Sequence, residues 1–280
     1  MKKMMVWSMA VLLALLISAC NGAAKNTEEE AHDASHADGH GGHDGEEAAE
    51  RETLKASFGF PSGAPKAGEE TELSIEITNE QGERLREFEV SHEKLLHLIV
   101  VDHDLKFFDH IHPELQADGT FLIRTSFPTG GEYKLFADVV PAGGAGATLT
   151  EWVTVEGPEG EHAEIAVDSA LRQEANGKEV ELSVSSTKPD EEVTLTFFVR
   201  DAATKKEIND LQPYLGAVGH VVILSADAEQ YIHVHPLDET STGPEAEFAT
   251  SFPRAGIYKI WGQFRHNDEV FTVPYVIDVK

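Results

Sequence analysis

The chain carries one pattern twice, and that duplication limits what it can fold into. "HLIVVDHDLKFFDHIHP", the 17 residues from His97 to Pro113, returns as "HVVILSADAEQYIHVHP", His220 to Pro236. Downstream, "TSFPTGGEYKLFAD" (Thr125 to Asp138) returns as "TSFPRAGIYKIWGQ" (Thr250 to Gln263). "TELSIEITNEQGERL" precedes the first copy about as far as "VTLTFFVRDAATKKEI" precedes the second. The repeat therefore spans most of a domain, and each copy must bury its own core.

What each copy folds into follows from its periodicity. "ETELSIEITNEQG", "GTFLIRTSF", "GEYKLFADVV", "KEVELSVSS", "EVTLTFFVRD" and "GIYKIWGQF" alternate apolar and polar residues, with Gly, Pro, Asn and Asp punctuating at short intervals. No segment in this part shows a helical stripe. The pattern predicts all-β structure: two tandem immunoglobulin-like antiparallel β-sandwich domains. Domain one is placed at 52–157 and domain two at 161–280, joined by "EGPEGE". The copies differ in their loops, "PAGGAGA" in the first standing where the second has the shorter "RHNDE".

The region before residue 52 has a different character. Lys2 and Lys3 precede an apolar run from Val11 to Ile17, then Ser18, Ala19 and Cys20. This reads as an export signal over 1–19, and "LISAC" resembles a bacterial lipobox. Cys20, the only cysteine, is then the lipidated first residue of the mature chain. Residues 20–51 have almost no large apolar side chain and cannot offset their ordering entropy by burial. They are expected to form a disordered acidic tether carrying His32, His36, His40 and His43, either a weak metal-holding tract or a solvated linker whose histidines do nothing specific. With Lys2 and Lys3 in the signal, 20 basic side chains face 50 acidic ones. That balance excludes nucleic acid as an electrostatic partner. The expected partners are a membrane, through the lipid on Cys20, and a metal-transfer protein. The expected location is the cell membrane, facing outside the cytoplasm.

Between the two 17-residue stretches only five positions are identical: three histidines, one aspartate and one proline. A two-residue turn at His103-Asp104 sets His97 opposite His110, with His112 on the same face two residues on. A turn at Ala226-Asp227 does the same for His220, His233 and His235. Pro113 and Pro236 close the strands. Clustered imidazoles are desolvated, and their neutral lone pairs suit a divalent metal. His92, His103 and Asp138 are further candidate ligands in domain one, with Glu93 weaker. Domain two offers His266, but has Leu215 where His92 would be. Taken singly, His92, His103, His162 and His266 read as structural, and Asp104 and Asp227 as turn residues. The methionines all lie in the signal, so the folded part has no sulfur ligand. That excludes a blue-copper centre and disfavours copper(I), leaving copper(II) as the favoured metal and zinc next.

"HLIVVDHDLKFFDHIHPE" followed by "DGTFLIRTSFPTGGEYKLFAD" resembles the YtkA-like group of secreted bacterial domains, related to FixH-like proteins. The resemblance implies an immunoglobulin-like sandwich and extracytoplasmic metal handling, copper in particular. It carries over to His97, His110, His112 and Pro113, with His92-Glu93 preceding. Domain two departs from it at the positions of His92 and Asp138. Together these features predict a non-enzymatic, membrane-anchored lipoprotein that captures, buffers or delivers a divalent metal. The alternative is an adhesion or solute-binding lipoprotein whose histidines are structural or pH-sensing.

Overall fold

The computed structural model describes residues 53–232 and 234–280. The signal, Cys20, the tether and His233 lie outside the described residues. Among those described, no helix is long and apolar enough to cross a membrane.

The first repeat contains β1 (Lys55–Gly59), β2 (Glu70–Thr78), β3 (Phe88–Glu89), β4 (Leu96–Asp102), β5 (Phe108–Ile111), β6 (Glu114–Leu115), β7 (Thr120–Ser126), β8 (Gly131–Pro141) and β9 (Ala147–Val155). The second contains β10 (Arg172–Ala175), β11 (Lys178–Val184), β12 (Glu192–Asp201), β13 (His220–Ser225), β14 (Tyr231–Ile232), β15 (His235–Pro236), β16 (Glu245–Ser251), β17 (Gly256–His266) and β18 (Glu269–Val279). Each repeat is a sandwich of two antiparallel sheets. In the first, β1-β2-β7-β6 faces β3-β8-β4-β5, with β9 also on β8. In the second, β10-β11-β12-β16-β15 faces β14-β13-β17-β18. Tyr133 and Tyr258 each turn a hydroxyl back onto a carbonyl four residues upstream, Thr129 at 3.0 Å and Arg254 at 2.9 Å. That is the tyrosine corner of immunoglobulin-like sandwiches.

β2 shows why alternation gives a sandwich: Leu73, Ile75 and Ile77 are fully buried, and the residues between them are not. β4 and β13 break the rule, being buried on both faces. Leu96, Leu98 and Val100 point into the first core, and Val221 and Ile223 into the second. Ile99, Val101, Val222 and Leu224 point the other way, into a third cluster with Leu105, Phe136, Ala228 and Trp261. This third core lies between the repeats, and both sandwiches fall in one compact unit. Burying a side chain of this size contributes about 1.5–3 kcal/mol, so the third core joins the repeats firmly.

The joint has approximate two-fold symmetry. Phe108 stacks on Trp261, with centroids 4.6 Å apart and planes at 14°. Phe136 meets Tyr231 at 5.9 Å. In the repeat, Tyr231 stands for Phe108 and Trp261 for Phe136, so the two contacts exchange partners as an isologous interface does. Lys134 reaches Glu229 Oε1 at 2.7 Å, while its counterpart Lys259 donates to the Leu105 carbonyl at 2.7 Å.

Candidate metal centre

His97 is buried near the start of β4, level with Asp138 on β8. Its Nε2 lies 2.9 Å from the Ser91 carbonyl oxygen. A carbonyl only accepts, so Nε2 carries the proton and Nδ1 keeps its lone pair. That lone pair faces Nε2 of His110, 3.0 Å away. His110 places its own Nδ1 2.7 Å from Oε1 of Gln263, on β17 of the other repeat. With that oxygen accepting, Nδ1 of His110 is the donor and its Nε2 is also a lone pair. Two lone pairs thus confront each other in the protein interior. His112 adds a third nitrogen: its Nε2 is buried without a hydrogen-bond partner. One ligand atom from each of the three rings lies within 4.8 Å of the others.

A proton or a cation can resolve such a confrontation, and the surroundings oppose the proton. Burial pulls His110 down to about 3 and His112 down to about 4, with neighbouring histidines adding to both. Burial also lowers His97, against the Ser91 carbonyl and Asp138, which raise it. His220 is pushed well below its ordinary value, again by burial first. At neutral pH the rings are neutral and offer lone pairs.

The second repeat contributes directly. His220 lies parallel to His97, with planes at 5° and centroids 5.6 Å apart, and sits 4.9 Å from His110. His92 is 5.5 Å from His220 and 6.1 Å from His97. His92 reaches this place through a tight turn. Ser91 and Lys94 exchange both backbone hydrogen bonds, and His92 and Glu93 take φ of 47° and 67°. Two positive φ values are the mark of a type I′ hairpin turn. The second repeat builds the same turn with Leu215 and Gly216. A left-handed conformation is unfavourable for a non-glycine residue, and the first repeat holds a histidine in it above the cluster. A groove of about 380 Å³, lined by Glu72, Glu114, Gln116 and Arg124 among others, opens onto His112.

The expected register differs by two residues. His110 pairs with Ile99, not His97, and Leu98 with Ile111. The connection is longer than a two-residue turn because Leu105 takes φ 53° and is buried in the third core, while Asp102 Oδ1 binds the Phe107 amide at 2.9 Å. A two-residue slip keeps every side chain on its face, so His97, His110 and His112 still converge. β13 and β14 carry the same shift.

The other expected ligands go elsewhere. His235 sits on β15, paired with Ala249 in the opposite sheet, and is exposed. The chain joins that ladder at His235 in the second repeat but only at Glu114 in the first. Among the described residues, therefore, no second triplet forms around His220. His103 lies past the far end of β4, beside Asp104 and His162. His266 bonds Asp210 at 3.1 Å at the end of β17. Asp138 neighbours His97 but accepts from Thr148 Oγ1 at 2.9 Å. Gln263 and the Ser91 carbonyl were not expected in the site. Gln263 could have been found as the repeat's counterpart of Asp138.

A family described as Domain of unknown function (DUF8832) matches residues 52–157 and again 173–280. No curated protein matches the chain. Among solved structures, the Escherichia coli adhesin FdeC is 17% identical, with a TM-score of 0.28, over 81% of this chain and 66% of that one. Invasin, a bacterial integrin-binding protein, is 14% identical, with a TM-score of 0.23, over 80% of this chain and 39% of that one. The chain thus spans less than two thirds of either. At such TM-scores they say nothing about what it does.

Proposed function

The chain belongs to the DUF8832 family in two tandem copies, and we propose that the copies together hold one divalent metal ion in a histidine centre at their joint. The observation that supports this most is the triplet itself: one ring nitrogen from each of His97, His110 and His112 within 4.8 Å of the others, with His112 Nε2 buried and partnerless. The outer nitrogens of His97 and His110 are held by a carbonyl and an amide oxygen, the arrangement that fixes ligand tautomers in metal sites. Two nitrogens each about 2.0–2.1 Å from a shared ion are about 3 Å apart at a right angle; the facing pair here is at 3.0 Å. An all-imidazole set suits copper(II) first, then zinc. His220 is the fourth ring, and His92 stands beside it.

The role proposed is to capture, buffer or deliver the ion, without chemistry on a substrate. The YtkA-like resemblance and the lipobox-like "LISAC" support placing this outside the cytoplasm, with the lipid on Cys20 as anchor. A calorimetric titration of the metal-stripped mature chain with copper(II), then zinc, against a competing chelator that outcompetes the tether, tests it. One tight equivalent is expected, lost in His110→Ala and in the half-buried His112→Gln, and kept in His235→Ala. Binding indifferent to both ligand changes returns the histidines to structure. It would favour the adhesion or solute-binding reading.

A further inference from the structure

The fold brings His103, a candidate extra ligand from the sequence, and His162, which taken singly reads as structural, to one carboxylate. Asp104 Oδ1 lies 3.1 Å from His103 Nδ1, and Oδ2 lies 3.0 Å from His162 Nδ1 and 3.2 Å from the Ala163 amide. Only 15% of the Asp104 side chain is exposed, while the two imidazoles are open to solvent. One ligand atom from each residue lies within 4.8 Å of the others. Glu159 adds a carboxylate 3.6 Å from His162 Nε2, and a cavity of about 210 Å³ runs beside all four.

His162 arrives from the linker, which is fastened to the first repeat. The Gly130 amide donates to the Pro158 carbonyl at 2.8 Å, and Lys106 Nζ binds the Glu161 carbonyl. The second repeat supplies an internal comparison. Its matched aspartate, Asp227, is met by Arg254 at 2.6 Å and by the Ser225 hydroxyl. Where the second repeat neutralises this carboxylate with a cation, the first surrounds it with two metal-competent rings.

We propose that His103, Asp104 and His162, with Glu159 alongside, form a second, solvent-facing site for a borderline divalent cation such as copper(II) or zinc. It stands apart from the joint centre: His103 lies six positions beyond His97, just past the end of β4, about 20 Å at the usual rise. It does not depend on that centre's binding metal. A cation here binds the two Nδ1 lone pairs once each ring proton has moved to Nε2, in place of the two hydrogen bonds that Asp104 now accepts. Its open coordination makes it an exchange site, and occupation pins the linker to the first repeat.

Nitrogen–proton correlation spectra of the labelled mature chain, titrated with copper(II), test this directly. The Ala163 amide and the Trp152 indole, whose ring is 6.0 Å from that of His103, are the reporters. Paramagnetic broadening of both is expected. His162→Gln, at an exposed side chain, should abolish the local broadening and leave any effect near His97 unchanged. Asp104→Asn should weaken it about 10–100-fold. No broadening of Ala163 at saturating copper(II) overturns the site, as does equal broadening in His162→Gln.

Discussion

His97 and His220 are the same residue of the repeat, and they lie face to face, planes at 5° and centroids 5.6 Å apart. They sit at the pseudo-two-fold joint, so in the proposed centre His220 would add a ligand from the second repeat to an ion held by His97, His110 and His112. Metal should therefore stabilise the joint as well as the site. A ligand at a thousand times its dissociation constant adds about 4 kcal/mol to the native state. Calorimetric unfolding should show a higher midpoint with copper(II) and a single sharper transition. His220→Ala should reduce that gain while leaving the metal-free midpoint much less changed. An equal gain in wild type and His220→Ala would mean the second repeat contributes no ligand.

The third core carries the joint, and Trp261 is its largest side chain, 2% exposed and stacked on Phe108. Trp261→Ala should cost about 3–5 kcal/mol, and Val101→Ala, a smaller truncation, rather less. Both leave the two sandwich cores intact, so strand content by circular dichroism should persist. Metal affinity should fall in both, because the joint brings His220 and Gln263 to the triplet. Denaturant unfolding alongside a copper(II) titration measures the two effects. Undiminished affinity in Trp261→Ala would separate the centre from the joint.

The sandwiches were legible because β2 alternates apolar and polar residues just as its burial does, and alternation over a half-buried sheet has one reading. The joint was not, although "HLIVV" and "HVVIL" held the sign of it: an unbroken apolar run in an antiparallel strand means both faces are covered. Taking the repeats as separate domains assigned His220 to a site of its own. The convergence of His97, His110 and His112 was readable because face depends only on parity, which a two-residue slip preserves. The position of His235 was not, because the residue at which a chain switches sheets is set by backbone pairing that its side-chain pattern does not encode. His103 with His162 was hidden for another reason: 58 residues separate His162 from Asp104, and only folding brings them together.

Gln263 fixes the His110 tautomer, and its replacement should show whether that matters. Gln263→Leu removes the acceptor and frees Nδ1 of His110, so metal affinity should drop about 10–100-fold with the fold retained. Gln263→Glu keeps an acceptor in the same place and adds charge that favours a bound cation, so affinity should match or exceed wild type. Competition titrations on both variants give the comparison. Equal affinities in Gln263→Leu and wild type would show that the His110 tautomer is set some other way.

Acid should weaken the metal-free protein through the same histidines. His110 at about 3 and His112 at about 4 stay neutral in the native state well below the ordinary histidine value of 6.5. The unfolded chain takes up these protons as pH falls below 6.5, and the native chain does not. Stability contributed by this pair is therefore intact above about 6.5 and declines as pH falls towards 4, by up to about 1.4 kcal/mol per pH unit for the buried His110 and by less for the half-buried, solvent-screened His112. His97 and His220 are lowered as well and act in the same direction. The chain's many carboxylates titrate in the lower part of this range, so the difference between wild type and a variant is the quantity to follow. Urea unfolding of metal-stripped wild type and His112→Gln, between about pH 7.5 and 5, should give a shallower acid decline in the variant. Parallel pH profiles would show that His112 takes up protons alike in the folded and unfolded chain. That result would contradict its burial as a neutral ring.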